Sequence, residues 1–233
     1  MLRYYAGSNP CEMTAAVLQA AGARRTRDIL SDWDLYIPKF GAHFTAELAD
    51  LLPSRTDQWI GGLPGSWRLA NKASLWSGVV RAHGLEEAGR LLPESWLLKR
   101  AEDRARLQAQ HTPGQVYILK NPLLQRRSGL RLVSELEAVY AARQDGFTLA
   151  QRMLPDLMLI GGHRFHMRLY VLLVRREGRL SVWLHRTGRC VCAPSRFAGD
   201  LKNAEEVITR SVSTDALAPG LPFTLTDLLA EMA

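Results

Sequence analysis

Arg164-Phe165-His166-Met167-Arg168-Leu169-Tyr170-Val171-Leu172 is the stretch on which the reading of the fold turns. From His166 to Arg175, Met167, Leu169, Val171 and Leu173 alternate with His166, Arg168, Tyr170 and Leu172. A period of two sends successive side chains to opposite faces of a strand. Gly178 turns this strand into a second, Leu180 to Leu184. Upstream, Gly161-Gly162 has the composition of a hairpin turn, because paired glycines supply positive φ without strain. Thr148 to Leu154 reads as the strand before it, and Gln115 to Lys120 as an earlier strand ending in a lysine. Between those two lie a basic loop, Asn121 to Gly129, and a helix, Ser134 to Arg143. That helix has Ser134 at its N-cap and Glu137 three residues on as a capping-box partner. Tyr117 to Trp183 is therefore expected to be an α/β core.

Towards the N-terminus, Glu12 to Ala23 carries Met13, Ala16, Val17 and Ala20 at helical spacing, with Gly22 where a helix would stop. Asp34 to Pro38 reads as a short buried strand and Phe44 to Leu52 as a helix, together a small α/β unit. Gly61 to Gly65 is a loop by its glycines and proline. Lys72 to His83 offers Leu75, Trp76, Val79 and Val80 as one helical face, with Lys72 near its start. Glu102 to Gln110 is a charged helix, either solvated or a link, ended by Thr112-Pro113-Gly114. The boundary is drawn there, giving an N-terminal and linker α/β region over 1–111 and a second region over 112–233. Five of the six tryptophans precede it, which argues for a folded N-terminal part.

The chain of 233 residues is long enough to bury a substantial core, and 47% hydrophobic with 23% charged residues is ordinary for a globular protein. Its formal charge of +7 favours anionic partners: nucleotides, acidic peptides or nucleic acid. The basic residues are scattered, as in Arg24-Arg25, Arg126-Arg127 and Arg175-Arg176, without the dense tract of a nucleic-acid surface. No signal peptide or run of 18 apolar residues is present, so no membrane is expected and the cytoplasm follows by elimination. Cys11, Cys190 and Cys192 make no even disulfide framework. Cys190 and Cys192 share one face of a strand and read as small buried apolar residues. His163 and His166, three apart in a strand, face opposite sides, which argues against a shared metal.

A lysine at a strand end followed by a flexible basic loop can hold polyphosphate, the ammonium as a point charge and the loop through backbone donors. Lys120 with Asn121 to Gly129 has that form, though the Gly-x-x-x-x-Gly-Lys-Ser/Thr loop is absent. Four words then occur in order: Tyr-Ile-Leu-Lys (117–120), Ser-Gly-Leu-Arg-Leu (128–132), Gln-Arg-Met-Leu-Pro (151–155) and Arg-Phe-His-Met-Arg-Leu-Tyr-Val-Leu (164–172). With them the chain resembles the tubulin tyrosine ligase-like family of ATP-grasp ligases. Asp32-Trp33-Asp34-Leu35, Leu63-Pro64-Gly65 followed by Lys72, Pro93-Glu94-Ser95-Trp96 and Pro222-Phe223-Thr224-Leu225 extend the likeness along nearly the whole chain.

The resemblance implies an α/β (α+β) ATP-grasp fold with a small N-terminal α/β subdomain. It implies ATP and Mg2+ as cofactors, and an activity that joins an amino acid to a carboxylate of an acidic protein or peptide acceptor through an acyl phosphate. On that mapping Lys72 and Lys120 bind nucleotide, the backbone of Gln151, Arg152, Met153 and Leu154 meets the adenine, and Arg168 is the catalytic cation at the γ-phosphate or acyl phosphate. The family's magnesium-binding strands follow the Thr-Leu-Thr helix and are expected to be lacking here. Asp156 stands in place of a second nucleotide lysine, His166 in place of an aspartate, Val191 in place of a substrate arginine and Arg210 in place of an asparagine. Arg127 takes the place of a loop glycine. These departures keep a second reading open: a non-catalytic ATP-grasp binding protein.

Overall fold

The computed structural model describes residues 1–8, 10–29, 32–38, 51, 55–121, 129–203, 206 and 221–232. The chain is mixed α/β and divides into two compact units, Met1–Arg68 and Leu69–Ala233.

The first unit holds β1 (Arg3–Ala6), α1 (Glu12–Ala20), β2 (Arg24–Arg25), β3 (Leu35–Ile37) and β4 (Trp59–Ile60). The strands form a parallel sheet in the order β2-β1-β3-β4. α1 ends where Gly22 takes φ 63°, as its sequence position predicts. Its face is not the expected one: Met13 and Val17 are 77% and 63% exposed, and Leu18 is buried instead. The bulkiest side chain of the helix sets its rotation, against the stripe of alanines that the spacing favours. Trp33 and Tyr36 form the core with Tyr5, Leu51 and Ile60, the rings of Tyr5 and Tyr36 stacking at 5.5 Å. The helix expected over Phe44 to Leu52 lies outside the described residues except for Leu51. A single helical turn, α2 (Trp67–Ala70), spans the division between the units.

The second unit opens with α3 (Lys72–Leu91), capped by the Asn71 side chain, which accepts from the Ser74 amide at 3.0 Å. Gly84, at φ 81° and ψ 169°, breaks the helix directly after His83, where the apolar periodicity ends. β5 (Ser95–Leu97), α4 (Ala101–Gln110), β6 (Tyr117–Lys120), β7 (Leu130–Val133), α5 (Leu136–Ala141) and β8 (Leu149–Arg152) follow. Their strands make an antiparallel sheet in the order β5-β8-β6-β7. One face packs Trp96, Tyr117, Leu119 and Ala150 against Leu107 of α4 and Val139 of α5. On the other, Leu97 and Leu149 meet Trp76 and Ala88 of α3. Residues 69–111, grouped with the N-terminal region on sequence grounds, thus contribute a strand and two helices to the second unit's core. α4 is neither fully solvated nor a link, because Leu107 is wholly buried. The capping box expected at Ser134 does not form: Glu135 is the N-cap of α5, and the Ser134 hydroxyl is spent on the Glu135 carboxylate at 3.1 Å.

Gly161 and Gly162, with φ 57° and 79°, turn β9 (Leu159–Ile160) into β10 (His163–Arg168). The strand expected to run unbroken to Arg175 stops at Arg168, and β11 (Val171–Arg176) begins after Leu169 and Tyr170. β11 pairs with β12 (Arg179–Leu184), whereas β10 pairs with β13 (Arg189–Arg196). Leu169 and Tyr170 on one side therefore oppose His185, Arg186, Thr187 and Gly188 on the other, and unequal lengths cannot share one ladder. α6 (Leu225–Glu231) closes against β13 and carries a capping box, Thr224 with Asp227. No helix among the described residues is long and apolar enough to cross a membrane.

Candidate functional site

Lys120 is the last residue of β6, and alternation along the strand sets its side chain on the face opposite the buried Tyr117 and Leu119 core. Gln151 on β8 and Ser95 on β5 share that face, since Ser95 and Gln151 are register partners. The Lys120 ammonium donates to Gln151 Oε1 at 2.5 Å. Gln151 Nε2 donates in turn to Ser95 Oγ at 2.9 Å and to the Pro93 carbonyl at 3.3 Å. The Ser95 hydroxyl, fully buried, donates to the same Pro93 carbonyl at 2.9 Å. A directed chain runs from the buried edge strand to a half-buried ammonium.

Burial, and next the positive charge of Lys72 at the start of α3, bring the Lys120 amine down to about 8 from its ordinary value. Both effects disfavour the charge that Lys120 carries at neutral pH. An anion placed before Lys72 and Lys120 would relieve both effects.

Arg152, one residue on, points the other way. Its guanidinium pairs with Glu94 at 3.0 Å and lies 5.8 Å from the Trp96 ring. The Met153 amide donates to the Val116 carbonyl at 2.9 Å, and its side chain is buried with Val116. Leu154 is half exposed. Arg168 is exposed at the end of β10, in a different sheet from the Lys120 group. His166 precedes it on the same face, and burial, then Arg168 and Arg164, lower the imidazole's proton affinity. Opposite Arg168, Arg189 stacks its guanidinium 4.5 Å from the Phe223 ring. The β10–β13 face is thus strongly cationic.

A family model for the tubulin-tyrosine ligase family matches residues 51–210, more than half of the chain. The chain belongs to the tubulin-tyrosine ligase family. Tubulin monoglutamylase TTLL4 of Mus musculus is 25% identical over 152 residues, covering 64% of this chain. The chain spans 12% of that relative's length.

Within the tubulin-tyrosine ligase match, the structure gathers Lys72, Lys120 and Gln151 and leaves Arg168 on the neighbouring sheet. Ser95 and Arg164 are additions that sequence alone did not single out. Ser95 lay inside the family word Pro93-Glu94-Ser95-Trp96, but its role depends on a pairing across 56 residues. Asp156 is exposed, and Val191 is 3% exposed, a core position. Arg127 and Arg210 lie outside the described residues. His163 is buried and its Nδ1 stands 2.9 Å from the Ala193 carbonyl, which makes it a satisfied core histidine. Cys190 and Cys192 are buried side by side with their sulfurs 4.0 Å apart, packed with Ile160 and Leu228. Among the described residues no group of three or more His, Cys, Asp or Glu could hold a metal.

Proposed function

We propose that this tubulin-tyrosine ligase family chain carries an ATP-grasp nucleotide site and serves an ATP-dependent ligase that joins an amino acid to a carboxylate of an acidic protein acceptor. The observation that carries the reading is the Lys120 ammonium, held half-buried by Gln151 and facing Lys72. A desolvated lysine beside a second one is stabilised by an anion, and polyphosphate supplies several negative oxygens at once.

In this reading Lys120 and Lys72 bind the phosphates, and the backbone from Gln151 to Leu154 borders the adenine. Arg152 contributes through its main chain, since its guanidinium is committed to Glu94. Arg168, with Arg189 opposite, stabilises the charge that develops at the γ-phosphate or the acyl phosphate. Bound ATP supplies the phosphoryl group that activates the acceptor carboxylate. The chain's own part is to orient and to neutralise charge. The described residues do not provide a carboxylate set for magnesium, so no step is assigned to that ion.

The name of the mouse relative makes addition of glutamate to tubulin the first reaction to test. Calorimetric titration with ATP and magnesium tests the site: saturable binding supports it, and no heat of binding overturns it for this chain. Asp156 and His166, at positions that depart from the family pattern, favour a second reading, a non-catalytic ATP-grasp binding protein. ATP binding without mass addition to an acidic acceptor would select it.

A further inference from the structure

The Lys120–Gln151 contact works only with the Gln151 amide in one of its two orientations. With Oε1 towards Lys120 the amide accepts from the ammonium; turned over, it presents N–H donors to a cation. What fixes the orientation lies at the far end of the chain. Ser95 Oγ gives its proton to the Pro93 carbonyl, so its lone pairs are left to accept, and both oxygens stand within reach of Gln151 Nε2. Neither can donate to Gln151 while that arrangement holds. Ser95 is itself immobilised: it is fully buried, and its strand is in register with Gln151.

We infer that Ser95 is a positioning residue for Lys120, acting through Gln151 and touching no ligand itself. The inference rests on the reading of Lys120 as the phosphate-holding cation. A proton on Ser95 is directed to Pro93, a proton on Gln151 to Ser95, and a proton on Lys120 to Gln151. An ammonium carries three protons, so with one directed to Gln151 it can offer the others to an anion from a fixed position. Among the described residues the charged neighbour of Lys120 is Lys72 from α3; β8 and β5 offer the uncharged Gln151 and Ser95. On β7, Arg131 turns to the other face, pairing with Asp145 and stacking on Phe147. The hydrogen bond that Lys120 donates to Gln151 Oε1 is therefore a favourable counterweight to burial and to Lys72.

The test is the pH at which Lys120 titrates in the ligand-free protein. It can be followed by competitive acetylation of Lys120 against a peptide lysine, read by mass spectrometry across pH 6–11, a window about the value to which burial brings the amine. Ser95→Ala removes one of the two acceptors for Gln151 and should lower the midpoint by about half a pH unit or more. Ser95→Thr, which keeps the hydroxyl, should restore it. In a Gln151→Met background, Ser95→Ala should have no further effect, because the intermediary is gone. An unchanged midpoint in Ser95→Ala, with the melting temperature retained, overturns the inference, as does an equal shift in the Gln151→Met background. Should Ser95→Ala fail to fold, Ser95→Cys decides: a thiol is a weaker acceptor for Gln151 Nε2, so the midpoint must fall, and an unchanged midpoint refutes the relay. ATP titration of the unmodified protein is scored separately, so loss of the nucleotide reading and loss of the relay are different results.

Discussion

Gly188 lies so close beneath Arg168 that a Cβ built on it would stand 2.8 Å from the Arg168 carbonyl oxygen and 3.1 Å from the Leu169 side chain. The contact sits where the ladder of β10 and β13 ends and that of β11 and β12 has not begun. Close approach of two backbones, and not a special φ, is what requires glycine there.

Gly188→Ala is accordingly expected to displace the Arg168 backbone, since a carbonyl cannot yield as a flexible side chain can. The expected result is a loss of about 1–3 kcal/mol in stability. Turnover, where an acceptor assay is available, should fall while ATP affinity changes less, because Lys120 is on the other sheet. Denaturant melts and ATP titration of the variant check both parts.

If Lys120 holds phosphate as proposed, it is a site where function opposes stability. Its amine is brought down to about 8 by burial and by Lys72, against 10.5 for an ordinary lysine. The unfolded chain then binds more protons than the folded one between those values, so this group lets stability rise as pH climbs from about 8 to 10.5. Below that window the protonated form opposes folding by about 3 kcal/mol, an upper figure. Lys120→Met removes the charge but leaves Gln151 without its donor, and a net gain of about 1–2 kcal/mol at pH 7 is expected, with loss of ATP binding. A melt showing destabilisation would contradict it.

The same proton should appear in binding. Polyphosphate next to Lys120 favours the charged amine, so ATP affinity is highest below pH 8 and falls as pH rises through it. Near pH 8–9 the complex should take up a fraction of a proton, seen as calorimetric heats that depend on the ionisation enthalpy of the buffer. Heats that are independent of the buffer at that pH would remove Lys120 from the phosphate site.

The thiols should separate into two classes. Burial pushes Cys190 up to about 12 and raises Cys192 as well, whereas exposed Cys11 is lowered by hydrogen bonding to Thr14. A thiol-specific reagent at pH 7–8 should label Cys11 rapidly and reach the other two only on unfolding. Fast labelling of all three in the native protein would mean that β13 is not packed as described.

Much of the local structure was legible because single residues dictate it. Gly22 ends α1, Gly161 and Gly162 turn a hairpin, and the apolar stripe before Gly84 stops where the helix breaks. The family words around Lys120 and Gln151 were legible for the same reason. What could not be read was pairing at a distance. Nothing in Ser95 announces that it will oppose Gln151, since that register follows from how β5 enters the sheet. The alternation from His166 to Arg175 predicted one unbroken strand, but Leu169 and Tyr170 divide it into β10 and β11, because the segment across from them, His185 to Gly188, is longer. α1 failed differently: periodicity located an apolar stripe, but the residue that is buried is Leu18, outside that stripe.

The β11–β12 hairpin pairs only with itself among the described strands, and it bears Val171, Leu172, Val182, Trp183 and Leu184 more than half exposed on its two sides. A ribbon edge without a partner is a template for another molecule's backbone, so such a hairpin is expected to limit the concentration at which a chain stays monodisperse. Arg175, Arg176 and Arg179 gather positive charge around its turn, offset in part by Glu177 at 3.6 Å from Arg176, and salt screens the repulsion that this charge sets against a second copy. Colloidal stability is therefore expected to be better in dilute buffer than in strong salt, a solution property set by a single turn of chain.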